Sequence, residues 1–134
     1  MIYPRPLVDA IKSRIAAVVA CGDLTAPASY SHGVYAVLEL PPGSRRPGAW
    51  GCPERSLALR FRVRVVAESS TTAVARQAAQ DIAERIAVAL LDRTVAISGT
   101  GWSVSGRTHI ASGGADDEGP LVNVVDDYEF FVSS

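Results

Sequence analysis

Residues 57–91, LALRFRVRVVAESSTTAVARQAAQDIAERIAVALL, decide the fold. In 57–67 the side chains alternate. Leu57, Leu59, Phe61, Val63 and Val65 fall on one face, while Ala58, Arg60, Arg62 and Arg64 fall on the other, the period of a strand with one face in a core. Its length exceeds that of an ordinary strand and suits a long hairpin or a sheet centre. Ser69, Ser70, Thr71 and Thr72 then supply hydroxyls able to cap a helix. The period changes at once. Val74, Ala78, Ile82, Ile86 and Leu90 make one row, and Ala75, Ala79, Ala83 and Ala87 make the row beside it. The spacing predicts a helix of about 20 residues ending at Leu91, apolar over a wide face made half of methyl groups. Arg76, Gln77, Gln80, Asp81, Glu84 and Arg85 fill its outer face.

Upstream, Leu7, Val8, Ile11, Ile15, Val18 and Val19 recur every three or four residues behind Pro4 and Pro6, which suit a helix entry. This predicts a helix over 5–20, stopped by Gly22. Residues 23–33 read as a loop and Tyr35–Leu40 as a short strand. The segment 41–55 holds too much Pro and Gly for regular structure. Downstream, Thr94–Ser98 and Trp102–Ile110 have strand composition. Ser112–Pro120 reads as a polar, acidic hairpin tip. Leu121–Val132 reads as a last strand, with Val124, Tyr128, Phe130 and Val132 on one face and Asp127 and Glu129 on the other. Helix, strand, strand, helix and three more strands give an α+β fold, a mainly antiparallel sheet with two helices packed on one face. A chain of 134 residues is expected to form a single domain over 1–134.

The composition is globular, 48% hydrophobic and 20% charged, with a net charge of -1. That balance argues against a protein built to grip nucleic acid, which needs a local excess of positive charge. Cys21 and Cys52 form no CxxC pair or metal spacing and read as ordinary thiols. The first residues lack the pattern of a signal peptide, and no apolar run reaches the ~20 residues that span a bilayer. Those features suggest a soluble protein with no membrane partner.

No catalytic set is legible. His32 and His109 lie on separate elements with no partner nearby in sequence, and no nucleophile elbow or phosphate loop occurs. Asp116, Asp117 and Glu118 lack the ordered spacing of a calcium loop. The expectation is no enzyme, no cofactor and no metal. The row Arg60, Arg62 and Arg64 is the least ordinary feature, because like charges on one strand face repel unless something meets them. Asp127 and Glu129 on a neighbouring strand, a second subunit, or nucleic acid would each serve. Within 41–56, Arg45, Arg46 and Trp50 are of the types favoured as interface anchors, although Trp50 equally suits the rim of a core.

This layout resembles the tail terminator, or tail completion, proteins of long-tailed bacteriophages. The resemblance rests on the amphipathic segment Pro4–Ala20, on RFRVRVVAESSTTAVARQAAQDIAERIAVALL (60–91), on WSVSGRTHI (102–110) and on LVNVVDDYEFFVSS (121–134). It spans nearly the whole chain, in pattern and not in any sharp motif. It implies a homohexameric ring that binds the finished end of the tail tube, stops its polymerisation and offers a surface to the head-side connector protein. Viral DNA would pass through without specific binding. It also implies a place in the virion, at the head–tail junction, after synthesis in the bacterial cytoplasm. The family has no catalytic residues to carry over. Arg60, Arg62, Arg64, Arg45, Arg46 and Trp50 are the expected subunit or partner contacts. Another neck or connector protein is the nearest alternative, ahead of a small ligand-binding or nucleic-acid-binding domain.

Overall fold

The computed structural model describes residues 5–23, 26–27, 33–40, 45–47, 56–68, 71–91, 103–118 and 121–133. In chain order these form α1 (Arg5–Ala16), β1 (Cys21–Asp23), β2 (Val34–Glu39), β3 (Arg45–Pro47), β4 (Ser56–Glu68), α2 (Thr72–Leu91), β5 (Ser103–Glu118) and β6 (Leu121–Ser133). The strands make one sheet in the order β1-β2-β4-β6-β5, with β3 also paired to β4. Among the described residues only β1 and β2 run parallel. β6 covers one edge of β4 from Ser56 to Glu68. β2 and β3 share the other edge, β2 opposite residues 62–67 and β3 opposite residues 57–59. The fold is α+β, as expected.

Period-2 alternation in β4 and β6 puts Leu59, Phe61, Val63, Val65 and Ala67 on the same face as Val122, Val124, Tyr128, Phe130 and Val132, all buried. Both helices lie over that face. α1 brings Leu7, Val8, Ile11 and Ile15 to the core; α2 brings Ala75, Ala79, Ala83, Ile86 and Leu90. Three alanines in a row let the backbone of α2 sit close to the sheet. Its first turn is capped by Thr71, whose Oγ1 accepts from the Val74 amide at 3.4 Å. Its last turn holds no basic residue of its own. Arginines from elsewhere meet the open carbonyls instead: Arg14 Nη1 donates to Ala89 O at 3.3 Å and Arg107 Nη1 to Leu90 O at 3.1 Å.

Several sequence expectations need correction. α1 ends at Ala16, and the amides of Val18 and Val19 turn back onto Ile15 O. Gly22, expected to stop that helix, lies inside β1, a three-residue strand too short to show alternation. Within 41–55, Arg45–Pro47 is a strand, recruited by the free edge of β4. Ser112–Glu118 is strand and not loop, because β6 extends far enough to pair it. Three register shifts, between Val104 and Gly106, His109 and Ala111, and Gly113 and Asp116, absorb the irregularity. Val74, the first member of the predicted apolar row, is 59% exposed, because the buried stripe of α2 starts on the neighbouring row, at Ala75 and Ala79. The strand expected at Thr94–Ser98 lies outside the described residues.

Candidate interaction face

The face of the sheet turned away from the helices carries the arginine row. Cross-strand register decides what meets it. Arg60 stands opposite Glu129, Arg62 opposite Asp127, and on the other side Arg62 opposite Glu39. Arg62 Nε donates to Asp127 Oδ1 at 2.9 Å and Nη2 approaches Oδ2 at 3.4 Å. That hydrogen bond and the carboxylate charge hold the Arg62 guanidinium still more firmly protonated. Arg64 Nε reaches diagonally to Glu39 Oε1 at 2.9 Å. Arg60 is held loosely, 3.9 Å from Glu129 Oε2. The arginine side chains are 44%, 35% and 36% exposed in chain order, so solvent screens each pair and the worth of each is about 0.2–1 kcal/mol. Their larger effect is geometric: three cations and three anions laid across β2, β4 and β6 balance one another in number.

Asp127 and Glu129 are the acids the sequence nominated. Glu39 was not nominated; it sits at the end of an expected strand, but only the pairing of β2 with β4 brings it to the row. Of the other nominated contacts, Arg45 and Arg46 lie in β3 opposite Leu59 and Ala58, beside the Arg60 end of the row. Their side chains, and Trp50 entirely, lie outside the described residues.

A second polar group lies on the inner face. Asp126, buried opposite Val63, faces His109 of β5, with Nε2 3.2 Å from Oδ1. The His109 ring lies against that of Tyr128, centroids 4.9 Å apart. His109 therefore has a partner that its local sequence does not reveal. The Tyr128 hydroxyl is buried with no hydrogen-bond partner among the described residues, and burial and the charge of Asp126 push its ionisation upward. An unsatisfied buried hydroxyl opposes folding. Tyr128→Phe is accordingly expected to leave stability unchanged or raise it by up to about 2 kcal/mol in urea unfolding; a loss of more than about 1 kcal/mol would mean that the hydroxyl is satisfied. Cys21 is half-buried, and desolvation pushes its thiol up to about 11. His32 and Cys52 fall outside the described residues. Among the described residues no cluster of three His, Cys, Asp or Glu is placed to hold a metal ion, and no helix is long and apolar enough to cross a membrane.

No protein family model matches the sequence, and no curated protein does. Solved structures do match the fold. A chain from the virion of a native gene transfer agent particle superimposes with a TM-score of 0.67 and 14% identity, covering 96% of this chain and 95% of that one. The gp17 protein of bacteriophage SPP1 superimposes with a TM-score of 0.53 and 16% identity, covering 94% and 88%. At such identities the likeness is one of fold, and it runs nearly end to end: this chain shares its fold with a chain of a gene transfer agent virion and with a bacteriophage protein.

Proposed function

We propose that this chain is a non-enzymatic structural protein of a phage-type virion. Six copies close into a ring that caps the tail tube, ends its polymerisation and joins it to the head-side connector. The observation that carries this reading is the near-complete mutual coverage with the gene transfer agent virion chain, which leaves little of either molecule for a separate module. The charge pattern supports it. A face with three arginines already matched by three carboxylates has no surplus with which to hold DNA tightly, so DNA can pass without being gripped. The same face, pre-ordered by its own ion pairs, loses little side-chain freedom when another protein covers it. Arg60, Arg62 and Arg64, with Arg45, Arg46 and Trp50 from the neighbouring segment, are the proposed contacts. A ring of this kind is heterologous and closed, each copy giving one surface and receiving another.

Native mass spectrometry at tens of micromolar, with and without assembled tail tubes, tests the reading. The expected result is a sixfold mass and capture on tube ends, with growth of the tubes halted. A strictly monomeric chain that also ignores the tubes would overturn it. A ring that binds connector but not tube would assign it to another position in the neck.

A further inference from the structure

The ring reading requires a receiving surface different from the arginine row, and the inference that follows rests on that reading. The helices cover the opposite face of the sheet, and an open groove of about 580 Å³ runs between the end of α1 and the second half of α2. Val18, Val88 and two alanines form its apolar part; Arg14, Glu84 and Arg85 form its polar part. Val88 is 57% exposed, although α2 buries its other large aliphatic side chains wholly or in part after the first turn. Glu84 and Arg85 are exposed and form no ion pair among the described residues, whereas Arg14 is committed to the carbonyl of Ala89. The groove thus offers an unmatched carboxylate and an unmatched guanidinium beside an apolar floor.

The row has a complementary irregularity. Arg62 and Arg64 each hold a carboxylate at 2.9 Å, while Arg60 is the most exposed of the three and its acid lies 3.9 Å away. Arg60 therefore retains guanidinium hydrogens to donate elsewhere. We propose that the groove receives the Arg60 end of the row from a second copy of this chain. The arginine stem lies over Val18 and Val88, as long basic side chains do on apolar surface, and the guanidinium pairs with Glu84. Both surfaces carry both signs of charge, so the match selects a partner with the same alternation and penalises a shifted register by like-charge contact. Because the two surfaces lie on opposite sides of the sheet, the contact is head-to-tail and leads to a ring or filament, not a two-fold dimer.

The test is a charge exchange read by native mass spectrometry across a dilution series. Glu84→Arg and Arg60→Glu are each expected to raise the concentration of half-assembly by about tenfold or more, and the double variant to recover most of that loss. Both positions are exposed, and circular dichroism checks that the fold is kept. As a second measurement, Arg60→Cys with Glu84→Cys, in a background with Cys21 and Cys52 replaced by serine, is expected to be joined into chains of two to six copies by a bis-maleimide reagent that spans the length of an arginine–glutamate pair, since a direct disulfide needs the two backbones within about 7 Å. If all variants assemble like the parent chain, or if the double variant is no better than the singles, this contact is wrong while the ring stands. If the parent chain never assembles, the ring itself is wrong.

Discussion

Phe61→Ala is expected to lower the free energy of unfolding by about 3–5 kcal/mol, a third or more of what a domain of this size has to lose. Phe61 is fully buried at the middle of β4, the strand that pairs with β2, β3 and β6. Its ring stacks on Tyr128 with centroids 5.4 Å apart and meets Phe130 edge-on at 5.1 Å. Truncation removes the ring from both aromatic contacts and opens a hole bounded by a sheet that cannot collapse into it, since β4 is held on both edges. The loss should appear as a lower urea midpoint with the slope unchanged. Phe61→Leu, which restores most of the volume, should cost under about 2 kcal/mol. Assembly should weaken in step with folding, because Arg60 and Arg62 flank this residue on the opposite face.

The alternation that buries Phe61 is also what made the fold readable. In residues 57–91 the hydrophobic period changes once, from two to about 3.6, and both elements occur where that change places them, to Leu91 in the case of α2. The last strand was legible for the same reason. What escaped was whatever depends on a partner distant in sequence. β1 and β3 are three residues each, too short to carry a period, and exist because an edge was available for them. The far half of β5, rich in Gly, Asp and Ser, has loop composition and becomes strand only because β6 lies beside it. The site divides in the same way. Asp127 and Glu129 could be assigned to the arginines by alternation on one strand, whereas Glu39 required knowing that β2 is the other neighbour of β4. Asp126 was hidden by its own neighbourhood. In Asp126-Asp127 the two carboxylates face opposite sides of the sheet, one toward His109 and the core and the other toward Arg62.

Gly33→Ala is the second substitution with a large expected effect, about 2–4 kcal/mol of lost stability, from a position with almost no apolar surface of its own. Gly33 has φ of 67°, where a Cβ crowds its own carbonyl, and a Cβ built there would stand 2.8 Å from the carbonyl oxygen of Glu68. Backbone lies on both sides of that contact, so neither can rotate away as a flexible side chain would. The same two residues are joined by a 2.8 Å hydrogen bond from the Glu68 amide to Gly33 O. This close approach starts the β2–β4 pairing one residue before Val34 meets Ala67, and it sets the register of everything after it, down to Glu39 opposite Arg62. A strand that slips by one residue turns every side chain to the other face, which would carry Glu39 into the core and Leu38 out of it. Slippage is therefore too costly to relieve the clash, and the strain should remain where it arises. Hydrogen exchange should show the Glu68 amide and the first residues of β2 losing protection ahead of β6, and urea unfolding should show the midpoint falling. Gly33→Asn, more tolerant of positive φ but with the same Cβ, should recover only the smaller share of the loss. If Gly33→Ala proved neutral, Glu68 would have room to retreat, and the β2–β4 register would have to be held from the other end, by Arg64 on Glu39.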